Sequence, residues 1–146
     1  MKDHTQSAKA KVNALSQEAL ELQQQFDCAV NLANRHQALF LENGEDSERK
    51  EAMSWNAKAW KIAKRIVTVK ENLHWEASAL AQAQRFLLEG VDPKHEDAHV
   101  YQSNADYYGG MSTKAEAERD EYLEKRKAVF DNIKTLRTKA PCAARA

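Results

Sequence analysis

The chain has 146 residues, 22 of them basic and 22 acidic, with only four glycines, two prolines and two cysteines. A net charge of zero gives no long-range field toward nucleic acid or an anionic membrane, so either would have to be held by a local patch. So few turn residues exclude a sheet-rich or loop-rich fold, and Cys28 with Cys142 makes neither a disulfide framework nor a zinc ligand set.

Ala, Leu, Glu, Gln, Lys and Arg, the good helix formers, dominate what remains. The expectation is an all-α fold in one domain over residues 1–140, followed by a disordered tail over 141–146. The opening MKDHTQSAKAKVNAL is polar and lacks the apolar centre of a signal peptide. The apolar runs are a few residues long, far short of a membrane span. Together with the sparse cysteines this reads as a cytoplasmic, reducing environment with no membrane partner.

The first element is a helix over 5–43. Alternating steps of three and four pass through Val12, Leu15, Ala19, Leu22, Phe26, Ala29, Ala33, His36 and Phe40, eight of nine apolar. That is a coiled-coil-like seam. Asn43-Gly44 ends it, because glycine readily takes the left-handed conformation past a helix end. The second helix is expected over 47–89, with Asp46 or Ser47 as N-cap and Glu48 and Glu51 in its first turns. Its seam is Ala52, Trp55, Ala59, Ile62, Ile66, Val69, Leu73, Glu76, Leu80, Ala83 and Leu87, and Gly90 stops it. A short connection makes the two helices antiparallel neighbours, a long helical hairpin. A second stripe, Met53, Ala57, Trp60 and Val67 and then Ala81 and Leu88, calls for a further layer.

Asp92-Pro93 is expected to open a third helix over 93–108, with Pro at its first position. Gly109-Gly110 is expected to stop it, and Thr113 with Glu116 to form a capping box for a fourth helix over 114–139. If that broken rod runs back along the second helix, Tyr101 falls near Ala81, and the apolar side of the fourth helix, Val129, Phe130, Ile133 and Leu136, arrives beside Trp60 and Met53 and covers them. The result is a three- to four-helix bundle. If the rod turns back at the glycines, Trp60 and Met53 stay open.

Three groups of residues suggest chemistry. His95, Glu96 and His99 spell HEDAH, formally the zinc-protease spacing in which two histidines one turn apart hold a metal and the glutamate acts as base. Asp97 inside the motif and Pro93 just before it do not suit a buried metal helix, and the helix-start reading is preferred. Lys58, Lys61, Lys64 and Arg65 form a basic stripe interleaved with Trp60, the pattern of a phosphate-binding and base-stacking surface. Tyr101, Tyr107 and Tyr108 cluster before the glycine pair, and Tyr is favoured at protein interfaces. His36 and Glu76 intrude on the two seams as register-setting polar residues, with Arg119 a candidate partner for Glu76.

The favoured expectation is a non-enzymatic protein-interaction module, an adaptor, chaperone or inhibitor, that needs no cofactor. It would hold a protein partner or a second copy of itself through Trp60, Met53, Tyr101, Tyr107 and Tyr108. The alternatives are nucleic-acid binding on the basic stripe and, last, a zinc hydrolase on His95 and His99.

Overall fold

The computed structural model describes residues 2–139, with side chains from residue 6 onward. Cys142 and the tail expected over 141–146 lie outside the described residues. Three helices account for nearly all of the rest: α1 (Lys2–Asn43), α2 (Asp46–Glu89) and α3 (Glu96–Thr138), with no strand among the described residues. The fold is an all-α helical bundle.

The α1–α2 turn forms as the sequence indicates. Gly44 has φ 69°, and its N–H donates to the Phe40 carbonyl at 2.7 Å. This left-handed cap satisfies one of the carbonyls left open at the end of α1. Asp46 then starts α2. Its carboxyl accepts from Arg49 Nε at 2.8 Å, and this hydrogen bond holds it below the ordinary aspartate value.

The next connection departs from expectation. Asp92 Oδ1 accepts the Lys94 N–H at 2.9 Å, and the Asp92 carbonyl accepts the His95 N–H at 2.8 Å. This side-chain turn carries the chain through Pro93, so α3 begins at Glu96 and not at Pro93.

From there α3 is one helix, which corrects the expected break. Gly109 and Gly110 are both helical. Thr113 does not cap a new helix: its hydroxyl donates back to the Gly109 carbonyl at 3.1 Å, one turn earlier in the same helix. The reason is phase. Ala98, Tyr101, Ala105, Tyr108, Ser112, Ala115, Arg119, Tyr122, Arg126, Val129, Ile133 and Leu136 follow one another in uninterrupted steps of three and four. Two interior glycines cost roughly 1 kcal/mol each relative to alanine. Burial of a continuous seam outweighs that.

The chain divides into two compact units, each built from a part of all three helices. The first comprises Met1–Ala19 and Thr68–Asp120. Its core gathers Val12, Leu73, Leu80, Ala81, Tyr108 and Ala115, with Ala8, Leu15 and Met111 packed against it. Tyr108, and not Tyr101, joins Ala81. The two tyrosines are seven residues apart and so share one helix face, which leaves the sequence pattern unable to choose between them. Asn104 donates to Gln84 at 3.3 Å, and Lys70 pairs with Glu118 at 3.4 Å. The numbering rises on α3 as it falls on α2, so these two segments are antiparallel. The Lys70 ammonium side chain is only 8% exposed.

The second unit comprises Leu20–Val67 and Glu121–Ala146. Phe40, Ala52 and Leu136 form a core cluster with Met53 against it. Tyr122 meets Phe26 edge to face, ring centroids 5.3 Å apart. The Leu136 carbonyl accepts from Arg49 Nη1 at 3.2 Å. Leu136 therefore reaches the neighbourhood of Met53, as expected of a rod that continues along the second helix.

Along α1 the expected seam is buried at Val12, Ala19, Leu22, Phe26, Ala29, Ala33 and Phe40. Along α2 it is buried at Ala52, Ala59, Ile66, Val69, Leu73 and Leu80 and half-buried at Trp55, Ile62 and Glu76, whereas Ala83 and Leu87 are exposed. The second buried line of α2 is displaced from the expected stripe. It is Asn56, Ala63, Lys70, Ala77 and Gln84, strictly seven residues apart. The small side chains of Ala63 and Ala77, both 0% exposed, admit a close neighbour that Met53, Trp60 and Val67 would hold off.

Four substitutions probe these features, each read by urea denaturation. Gly110→Ala adds a methyl group that meets nothing within 4 Å, and should stabilise by about 1 kcal/mol. Gly44→Ala, at positive φ, should cost about 1 kcal/mol. Glu118→Gln strips the counter-charge from buried Lys70 and should cost about 2 kcal/mol, less than a fully buried pair because Glu118 is partly exposed, while Lys70→Met should be close to neutral.

Candidate interaction surface

In the first unit the fold assembles a serine, a histidine and a carboxylate that no sequence spacing had joined. Ser112 Oγ lies 2.8 Å from His74 Nδ1, and His74 Nε2 lies 3.2 Å from Glu116 Oε2. The protons run the wrong way for a nucleophile. His74 Nδ1 also lies 2.9 Å from the Ser112 carbonyl oxygen. A carbonyl only accepts, so Nδ1 carries a proton and is not a base toward Oγ. The Ser112 hydroxyl donates to the His74 carbonyl at 3.1 Å. Ser112 is buried in mid-α3, where the backbone N–H groups are committed to the helix and offer no oxyanion site. The arrangement fastens α2 to α3.

His95 is taken up as a helix cap. Its Nδ1 accepts the Asp97 N–H at 3.1 Å and lies 3.6 Å from the Asp97 carboxylate. His99 is exposed on the first turns of α3. Among the described residues no group of three or more His, Cys, Asp or Glu side chains is placed to hold a metal ion. Neither His95 nor His99 belongs to such a group among the described residues, and the first of them is engaged with the backbone.

The two seam intruders find separate partners. His36 hydrogen-bonds Glu48 through Nδ1. Glu76 lies 4.0 Å from Lys11, while the expected partner Arg119 turns to Asp120 at 3.0 Å.

The residues expected to form a partner surface divide between the units. In the first, Tyr108 is core, Tyr107 is 61% exposed and packs edge-on against the Tyr108 ring at 5.0 Å, and Tyr101 is half-buried. In the second, Met53 belongs largely to the core, and its sulfur accepts from Arg49 Nη1 at 3.6 Å. Trp60 is half-buried and forms one wall of an open groove of about 490 Å³. Lys64 flanks it on α2; Leu123, Arg126, Lys127 and Phe130 supply the α3 wall. Phe130 is 42% exposed. The Lys64 ammonium stands 5.5 Å from the Trp60 ring centroid and the Arg126 guanidinium 6.0 Å. Lys134 covers Phe130 at 4.9 Å. The basic stripe on α2 is exposed at Lys58, Lys61, Lys64 and Arg65, with Lys58 lying over Trp55 at 4.2 Å.

Sequence reasoning missed Leu123, Arg126 and Lys127 as a surface. It places Phe130 beside Trp60 as a covering residue, and the structure leaves that ring partly exposed there. The available signal was that Phe130 stands beside Val129 on the seam and so must point off it. It also missed two aromatic side chains of the first unit, Trp75 at 61% and Phe86 at 76% exposure. Neither falls on a buried line of α2.

No protein-family model, curated protein or solved structure matches this chain.

Two buried phenols give the units a common pH response. Burial pushes both Tyr108 and Tyr122 above the ordinary tyrosine value of 10.0. A folded value above the unfolded one means stability that is full below about pH 10 and is lost as pH rises through the folded values. Urea midpoints should fall between about pH 9 and 11, and less so in Tyr122→Phe. A phenolate absorbance titration should show two late-ionising tyrosines, one of which the substitution removes.

Proposed function

We propose that this chain is a non-enzymatic protein-interaction module that captures a partner segment in the groove between Trp60 and Phe130. The observation that carries the reading is a large aromatic surface left in contact with water. Trp60, Leu123 and Phe130 face an open groove at the α2–α3 boundary of the second unit, and aromatic side chains in such clefts supply most of the binding energy at protein interfaces. The polar clusters point the same way. The Ser112–His74–Glu116 contacts, the His95 cap and the His36–Glu48 pair each end on a backbone or side-chain partner.

The test is a photocrosslinking amino acid in place of Leu123, expressed in the native cells. One discrete protein adduct, insensitive to nuclease and lost on Phe130→Ala with helicity retained, is the expected result. Absence of any adduct would overturn the reading. An adduct that disappears with nuclease would replace it with nucleic-acid binding on Lys58, Lys61, Lys64 and Arg65.

A further inference from the structure

The chemistry of the groove points to one kind of occupant, on the reading that the groove is a protein-docking site. We infer that it takes an acidic amphipathic helix, whose apolar face lies on Trp60, Leu123 and Phe130 and whose carboxylates meet Arg126, Lys127 and Lys134.

The chain is neutral as a whole, and some of its cations are held in ion pairs. In the second unit Arg49 and Lys50 pair with Asp46, and Lys125 pairs with Glu121 at 3.1 Å. Arg126, Lys127 and Lys134 are different. Arg126 and Lys134 rest on aromatic faces, and among the described residues none of the three makes an ion pair. The helical period explains why. Leu123, Arg126, Lys127, Phe130 and Lys134 fall on one face of α3, whereas the nearest acids in sequence, Glu124 and Asp131, lie about 80–100° round the helix from its centre. The face therefore presents apolar and cationic side chains and nothing negative. A cation held over an aromatic ring without a counter-ion adds to the field at the rim and is ready to accept a carboxylate.

Shape selects a helix. From Leu123 to Lys134 the α3 wall runs about 17 Å, which matches about three turns of a partner helix. Apolar residues on that partner at helical spacing would fill the space between the Trp60 and Phe130 walls, the helix-in-groove mode of recognition. A single-stranded nucleic acid fits less well. The apolar Leu123 side chain between the Trp60 and Phe130 walls offers no stacking face, whereas a partner's apolar side chains pack against it.

The experiment uses the full chain and three labelled probes in fluorescence anisotropy. The first is a synthetic helical peptide of about four turns, with Leu and Phe on one face and Glu flanking them. The second is the same composition scrambled so that no apolar face forms. The third is a single-stranded oligothymidylate. The first peptide should bind on the order of 10-fold more tightly than the scrambled one. Its affinity should fall with added salt, and by on the order of 10-fold in Phe130→Ala and in the exposed pair Lys127→Glu with Lys134→Glu. A peptide carrying Lys in place of Glu should bind that reversed pair better than the original chain. Equal binding of the scrambled peptide would mean that charge alone acts, and would overturn the inference, as would displacement of the peptide by the oligonucleotide. If the peptide fails to bind while the Leu123 crosslink persists, the acidic-helix inference falls and the interaction module stands. Loss of both removes both.

Discussion

A seam that repeats every three and four residues has to stay in phase for as long as a helix is packed, and the rest of this structure depends on that constraint. In α3 the phase carries from Ala98 to Leu136 without a skip, and it holds two adjacent glycines in helical conformation. Local preference would end the helix there; continuity of burial keeps it going. The same constraint places two arginines, Arg119 and Arg126, on seam positions. Neither is buried: Arg119 turns outward to Asp120, and Arg126 reaches the Trp60 ring. Long side chains can leave a seam by extending past its edge.

Polar residues on buried lines are the second consequence. Ser112, Lys70, Gln84 and Asn56 are all buried. Each has an assigned partner: the His74 carbonyl, Glu118, Asn104 and the Ala52 carbonyl. No buried side-chain nitrogen or oxygen among the described residues is left without one. Such contacts add little net stability, yet breaking one strands its partner in a low-dielectric interior. They favour one register over its neighbours, since a slip of a single turn would separate Lys70 from Glu118. The serine–histidine–glutamate contact belongs to this class, which is why its protons point at backbone carbonyls.

The groove follows from the same geometry. A helix that buries Val129 and Ile133 must turn Phe130 and Lys134 to another side, because successive residues are about 100° apart. Trp60 is similarly just off the buried line of Ala59 and Ala63. Two large aromatic residues, each one position away from the core, thus meet at an edge that neither helix covers. The basic side chains around them come from the cationic second half of α3, a distribution that also complements the helix dipole. Arg126, Lys127 and Lys134 make no ion pair among the described residues, while Arg49 and Lys125 in the same unit do.

The helical class, the two seams, the Gly44 turn and the return of Leu136 to the vicinity of Met53 were legible in the amino-acid order, because hydrophobic period and left-handed glycine caps are local signals. The continuity of α3 was legible in principle, since Ser112, Ala115 and Tyr122 keep the period, but the Gly-Gly pair and a capping-box pattern argued locally for a break. Which tyrosine meets Ala81 could not be read at all, because residues seven apart are equivalent on a helix face. Nor could the true second line of α2, where small Ala63 and Ala77 displaced Met53 and Trp60; close approach rewards small side chains, and only packed neighbours reveal it. The arrival of the Phe130 stretch beside Trp60 followed from the expected antiparallel return. That Leu123, Arg126, Lys127 and Phe130 leave an open groove there and do not close over Trp60 was decided by tertiary structure, since the packing of residues more than sixty positions apart is fixed only when α3 is placed against α2.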